Sequence, residues 1–317
     1  MTSTSFLSLI LLGIPGQEVF YLWIFLSLLF MYFITFIGNC TLLIIVKADT
    51  NLQIPMYMFL SMLAMIDLGL SLVTLPTVLG VFWLHSVEVP LRLCLSQMFL
   101  IHFFSVMESS VLLAMAYDRY IAICNPLRYS SIITNRLIGK IGFLAVIRGM
   151  ATLLPIPVLL QSSVFCKKNI LSHVICLHPD LMRLVCNRHM ANNLYSLFAV
   201  LSTMGIDLML LIISYVLILK AICNLGSMSE CSKVFHNCAC HVCVALLFYT
   251  PMISLSMVHR FGGHISPTIN VPMAYLHFLM PPALNPIMYG IKMRQIRQKI
   301  FHKIEKIKEH CLGKHYS

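Results

Sequence analysis

Along this chain the apolar residues come in runs too long for the alternation of a strand or the one-sided stripe of a water-soluble helix. Seven stretches, at roughly 21–46, 56–83, 93–118, 138–160, 194–219, 236–258 and 271–290, are predominantly apolar. Each reaches the length a helix needs to cross a bilayer core, about 20 residues. The first (YLWIFLSLLFMYFITFIGNCTLLIIV) and second (MYMFLSMLAMIDLGLSLVTLPTVLGVFW) are the clearest, and the fourth is interrupted by Arg148, Pro155 and Pro157. Prolines at 76, 155, 157, 251 and 286 predict kinks, because neighbouring helices can satisfy the carbonyls they free. Residues 6–14 (FLSLILLGI) are apolar but too short to span, and no Lys or Arg precedes them. A cleaved signal is therefore not expected, and the first span serves as its own anchor.

Composition narrows the class. The 317 residues are 59% hydrophobic and 10% charged, with mean hydropathy +0.88. Soluble domains carry about 25% charged residues, and disorder needs low hydrophobicity, so an integral membrane protein remains. The net charge of +11 would suggest nucleic acid in a soluble protein. Its distribution says otherwise: with the N-terminus outside, fifteen Lys and Arg fall in cytoplasmic segments and six in outer ones. That is the positive-inside pattern, and no nucleic-acid partner is expected. No repeat or linker divides the chain. The expectation is one all-α domain: an extracellular tail (1–20), a seven-transmembrane helix bundle (21–290) and a cytoplasmic tail (291–317). In that tail Ile291, Ile296, Ile300, Ile304 and Ile307 predict a short amphipathic C-terminal helix on an anionic inner leaflet.

Ionisable groups at membrane depth are costly and mark function. At 1.5 Å per residue from Cys94, His102 lies about 12 Å into span three, Glu108 about 21 Å and Arg119 about 37 Å. Asp67, Glu108, Asn39 and Asn285 form a mid-depth polar set. Two carboxylates in low dielectric repel, so either a cation sits between them, sodium being the expectation, or one is protonated. Nearer the outer end, His102 and Ser105 share a face of span three. On span six Tyr249, Ile253, Ser256 and Arg260, spaced 4, 3 and 4, form one stripe. Arg260 has the planar donors that suit a carboxylate, with Ser256 and His102 placed to share the anion. Ile101, Met252, Ile253 and residues near Ser202 would supply apolar lining. This predicts a small cavity for a carboxylic acid, such as a short- or medium-chain fatty acid. The alternatives are an Arg260 facing water or headgroups and a His102 that only packs. The thiols and imidazoles at 231–243 spread around a helix and predict a reduced cysteine cluster rather than a zinc site.

Five motifs stand in order: PMYMFL (55–60), MAYDRYIAICNPLRY (115–129), SY (214–215), CACHVCVALLFYTP (238–251) and PALNPIMY (282–289). With these, almost the whole chain resembles the rhodopsin-type seven-helix receptors and, more narrowly, the vertebrate odorant receptor family. LGIPG (12–16) and VHRFG (258–262) resemble its class I, fish-like branch. The resemblance implies a plasma-membrane receptor for a small odorant, coupled to an olfactory-type stimulatory G protein and raising cyclic AMP. It implies that Arg119, within Asp118-Arg119-Tyr120, is held at rest and then freed to meet the Gα C-terminal helix. It gives Tyr215 and Tyr289 as partners in the active arrangement, and disulfides Cys94–Cys176 and Cys166–Cys186. Three features depart from the family pattern: no Asn in residues 1–20 for a glycan, KVFHNCACH (233–241) at the start of span six, and Pro281-Pro282 beside Asn285-Pro286. A non-olfactory receptor for a small metabolite and, remotely, an ion-coupled transporter are the other functions weighed. No enzyme motif stands at span depth.

Overall fold

The computed structural model describes residues 8–12, 21–84, 86–165, 169–171, 174–186, 190–224, 228–261, 267–292 and 297–299. Within these, the side chains of 12, 21, 51, 86, 224, 228–237, 240, 257–261, 267–276 and 291–292 lie outside the description. The helices are α1 (Tyr21–Ala48), α2 (Pro55–Leu84), α3 (Leu91–Cys124), α4 (Tyr129–Ile132), α5 (Asn135–Leu153), α6 (Pro155–Gln161), α7 (His178–Arg183), α8 (Met190–Val200), α9 (Ile206–Asn224), α10 (Met228–Phe261) and α11 (Pro267–Lys292). Each of the seven predicted spans falls inside helix: α5 with α6 forms the fourth, and α8 with α9 the fifth. Among the described residues, five helical stretches are long and apolar enough to cross a membrane, and His241–Ser256 forms a shorter apolar one. Helices extend past the apolar runs, α3 to Cys124 for example, since backbone hydrogen bonding continues after the side chains turn polar.

The seven spans form a bundle with α3 at its centre, packed on α2, α5, α9 and α10, while α1 closes the ring against α2 and α11. Close approaches need glycine. A Cβ at Gly38 would stand 2.7 Å from the Pro286 ring on α11, and one at Gly69 2.5 Å from Phe104 on α3. Lipid-facing surfaces are apolar, and exposed Trp23 and Trp83 lie at one end of the α1–α2 pair, as interfacial indoles do.

Two spans depart from regular helix. The fourth breaks at Leu154, where Pro155 opens α6, and the Tyr195 hydroxyl donates to the Thr152 carbonyl beside the break at 3.0 Å. In the fifth, α8 and α9 are joined by a π-helical turn, Leu201–Gly205. The continuous α-helical runs of α2 and α10 carry Pro76 and Pro251 without interruption.

The bundle end bearing the N-terminus carries a three-stranded sheet that the sequence pattern did not announce. Strand β1 (Ser8–Leu12) lies between β2 (Ser86–Pro90) and β3 (Ile170–Leu171). It is antiparallel to β2, with Ser8 opposite Pro90 and Leu12 opposite Ser86, and parallel to β3, with Ile10 opposite Ile170. Leu9 and Leu11 point inward and are fully buried, the period-two consequence of an extended chain. The predicted amphipathic C-terminal helix lies outside the described residues, except that 297–299 are helical, with Lys299 paired to Asp49 at 2.6 Å.

Candidate functional site

At the sheet-bearing end, α3, α6, α7, α8, α10 and α11 enclose a cavity of about 810 Å³. Its wall includes the expected His102, Ser105, Met252 and Ser256. Ser105 spends its hydroxyl on the Ile101 carbonyl at 3.0 Å, whereas His102 Nε2 is buried without a hydrogen-bond partner and so keeps capacity for a ligand. Two expectations need correction. Ile253 is 37% exposed and off the wall, because the cavity side of α10 runs through Met252, Leu255 and Ser256. One residue of helix turns the chain by about 100°, which carries Ile253 toward lipid. Ile101 is buried in the core behind the wall. The Arg260 side chain lies outside the described residues; its backbone is in α10.

Other wall groups were not foreseen. His277 of α11 has Nδ1 buried and unpartnered, and His178 and His277 lie near enough to act electrostatically on His102. His178 and Arg183 come from α7, the turn that roofs the cavity. The roof is pinned: Cys176, just before α7, is bonded to Cys94 at the start of α3, as expected. Cys186, just after it, is also disulfide-bonded, and Cys166, its expected partner, lies outside the described residues. The ionisable groups on the described wall are three histidines and one arginine, with no carboxylate among them.

Below the cavity stands a second unforeseen feature. Arg148 of α5 grips Asp207 of α9 at 2.8 and 3.0 Å. Its other terminal nitrogen donates to the Ser202 and Thr203 carbonyls of the π turn, at 3.3 and 2.6 Å. A π turn leaves carbonyls without their usual helical donor, and the guanidinium supplies one. Asp207 also accepts from Ser109 of α3 at 2.8 Å, and Ser109 meets the Tyr249 hydroxyl of α10 at 2.7 Å. Four spans therefore converge on one polar knot. Its signal in the sequence was a charge of each sign at membrane depth in adjacent spans.

Deeper still, Asn285 donates to Asp67 at 3.0 Å, and both lie beside Glu108. Asn39 does not join the carboxylates: its amide donates to the Thr35 and Pro282 carbonyls, at 3.0 and 3.1 Å, tying α1 to α11. Asp67 Oδ1, Glu108 Oε1 and Ser71 Oγ are buried oxygens without a hydrogen-bond partner.

At the opposite end Arg119 is paired with Asp118 at 2.8 Å, and Asp118 also accepts from Tyr129 of α4 at 2.7 Å. Burial, then the neighbouring Asp118, push the Tyr129 phenol well up, so it stays a donor at physiological pH. Tyr120 and Tyr215 pack beside Ile218, Ile222 and Cys238, and Tyr289 is fully buried against His241. The five switch residues thus divide between an ion-paired set at the tip of α3 and aromatic packing around it.

A bundle of seven helices with a walled cavity at one end and an ion-paired Asp118–Arg119 at the other defines a membrane receptor of the rhodopsin type. The crystal structure of squid rhodopsin superposes with TM-score 0.73, covering 90% of this chain and 80% of that one at 16% identity, a likeness of fold. Residues 28–306 match the family model for the olfactory receptors. Olfactory receptor 51G2 of Homo sapiens is 48% identical over 92% of this chain and 93% of that receptor. Olfactory receptor 51L1 of Homo sapiens is 46% identical over 93% of each. Olfactory receptor 51E2 of Rattus norvegicus is 45% identical over 92% of this chain and 91% of that receptor. The chain belongs to the olfactory receptor family. It is a multi-pass plasma-membrane receptor with small-molecule odorant and G-protein partners, and not an enzyme.

Proposed function

We propose that this receptor takes a small carboxylic acid in the cavity and answers by activating an olfactory-type stimulatory G protein, raising cyclic AMP. The observation that carries the ligand class is the described wall: His102, His178, His277 and Arg183 without a carboxylate, set among Met, Leu and Val side chains. Such a wall favours anions over cations, and its apolar remainder favours a hydrocarbon body. Arg260, one turn beyond Ser256 on α10, is the primary anchor, with Ser256 and the unpartnered His102 Nε2 completing it.

The membrane orientation follows the positive-inside count, with the cavity outside and Arg119 inside. The resting state holds Arg119 on Asp118, and Tyr129 steadies that carboxylate. A ligand shifts the balance only by binding the two arrangements unequally. The route inward runs through Thr203, which lies on the cavity wall and shares Arg148 with Asp207, and on through Ser109 to Tyr249 of α10. A sodium ion fits the deeper cluster: Asp67, Glu108 and Ser71 each present a buried oxygen lacking a partner. Those oxygens would hold it, and its charge would compensate the carboxylates.

The test is a cyclic-AMP dose response to a carboxylic acid and its methyl ester, with surface staining on the same cells. Arg260→Ala is expected to raise the half-maximal concentration for the acid by about tenfold or more, the size of a charged hydrogen bond, and that for the ester far less. Equal loss for both ligands would overturn the ion-pair reading.

A further inference from the structure

We propose that Met56 is a redox-sensitive modification site: a peroxide converts its thioether to the sulfoxide, whose oxygen tightens the resting hold on Arg119 and weakens G-protein coupling. This rests on the reading above that Arg119 is the group freed on coupling, and it is independent of the ligand.

Met56, from the PMYMFL motif, is the second residue of α2 and meets the inner tip of α3. There Arg119 Nη2 donates both to Asp118 Oδ2, at 2.8 Å, and to the Met56 sulfur. The hold on Arg119 is incomplete. The other oxygen of Asp118 is taken by the Tyr129 hydroxyl at 2.7 Å, and a thioether is a weak acceptor. Arg119 Nε is buried with no hydrogen-bond partner. In the planar guanidinium, Nε and Nη2 share one edge of the fork, so the edge that faces the Met56 sulfur carries the unsatisfied donor. Leaving a buried donor of a charged group without an acceptor is costly. An oxygen bonded to that sulfur supplies the acceptor, where the thioether alone supplies little.

The chemistry is a two-electron oxidation. A sulfur lone pair of Met56 attacks one oxygen of hydrogen peroxide; the S–O bond forms as the O–O bond breaks. The transferred oxygen gives up its proton to the departing hydroxide, and water leaves. Sulfur is oxidised and the peroxide reduced, and sulfoxide reductases, one for each epimer, reverse the change. The oxidant can reach the site from cytoplasmic water: Met56 is partly exposed and the Arg119 side chain 21% exposed. Met98 and Met115 of α3 are 1% exposed and shielded by the bundle. Arg119 must leave Asp118 and Met56 to meet the G protein, so a stronger acceptor at Met56 favours the resting arrangement by whatever it adds there alone.

The experiment treats the detergent-purified receptor with hydrogen peroxide, desalts it and titrates it with nucleotide-free stimulatory G protein, while fragment masses report the oxidation of each methionine. The Met56 fragment is expected to gain one oxygen before those of Met98 and Met115. The oxidised wild type should then bind the G protein about tenfold more weakly, the size of a charged hydrogen bond. Treatment with both epimer-specific reductases should restore binding, which general damage would not allow. Met56→Leu should keep its affinity through the same treatment. Met56→Gln, with an amide oxygen in place, should bind more weakly than the wild type without any oxidant. A Met56 that stays unoxidised while the 85% exposed Met190 gains oxygen would overturn the proposal, even if both variants fail to fold. So would an equal loss of affinity in peroxide-treated wild type and Met56→Leu. An untreated wild type that does not bind the stimulatory G protein would overturn the coupling reading and this proposal together; normal binding that is indifferent to oxidation of Met56 overturns this one alone.

Discussion

In the sequence Arg148 interrupts the fourth apolar run, and Asp207 is the one acidic residue within the fifth. Together they are one of the most strongly constrained features of the bundle. Removing Arg148 alone strands a buried carboxylate and uncovers the Ser202 and Thr203 carbonyls that it serves. Breaking one side of such a pair costs about 3–5 kcal/mol, whereas replacing both partners by uncharged groups of similar size is much milder. Arg148→Met is therefore expected to abolish most surface delivery, as Asp207→Leu should. The double variant should recover a substantial part of it, measured by surface staining and by melting of the detergent-purified receptor. A double variant no better than either single one would mean that the pair acts through its separate hydrogen bonds rather than through uncompensated charge. The loss of cyclic-AMP response should persist in the double variant, because Ser109 and Tyr249 lose the carboxylate that links them to α9.

Elements were legible in the sequence in proportion to how far local pattern decides them. The spans were, because a bilayer demands long unbroken apolar runs and the runs from 21–46 to 271–290 each lie in helix. The sheet was not: SLILL has no alternation, and its partners Val89 and Ile170 are set by contacts distant in sequence. The break at Leu154 was readable from Pro155, but the π turn at Leu201–Gly205 was not, since it depends on Arg148 from another helix. In the cavity, sequence found His102, Ser105 and Ser256, which are polar at a depth where polarity is unusual. It misplaced Ile253, because spacing on one helix fixes a stripe but not which edge faces the bundle. It overlooked Arg183, because the loop fold that brings it overhead depends on disulfides. Helix contact is equally specific. Gly38→Val would drive a side chain into the stiff Pro286 ring, separating α1 from α11 where Asn39 reaches the Pro282 carbonyl. Overpacking of this kind costs about 1–3 kcal/mol. The purified variant should melt several degrees lower, while Gly290→Ala, where an added Cβ meets nothing within 4 Å, should not shift. Equal melting of both variants would show that α1 and α11 give way freely.

At the scale of the whole molecule, the cavity and the Arg119 end are joined by α3, on which His102 and Arg119 are about 25 Å apart at 1.5 Å per residue. Between them the same helix carries Ser109, bonded to α9 and α10, and Glu108, beside the α2–α11 pair of Asp67 and Asn285. A displacement of α10 at the cavity therefore disturbs the knot at Tyr249 before it reaches the packing of Tyr289 and His241. Coupling of this kind is reciprocal: whatever factor the agonist adds to G-protein affinity, the G protein must add to agonist affinity, typically about 5- to 150-fold. In membranes, agonist affinity should accordingly fall when a non-hydrolysable guanine nucleotide dissociates the G protein. A sodium ion held by Asp67, Ser71 and Glu108 would favour the arrangement in which those oxygens converge, so it should oppose the agonist. Replacing sodium by N-methylglucamine is expected to raise agonist affinity in the wild type and to change nothing in Asp67→Asn, whose amide removes one of the two charges. A wild-type receptor indifferent to that exchange would remove the cation from the scheme. A nucleotide effect surviving there would still place the coupling in the Arg148–Asp207–Ser109–Tyr249 knot, and losing it in the Arg148→Met, Asp207→Leu double variant at normal surface levels would locate it there.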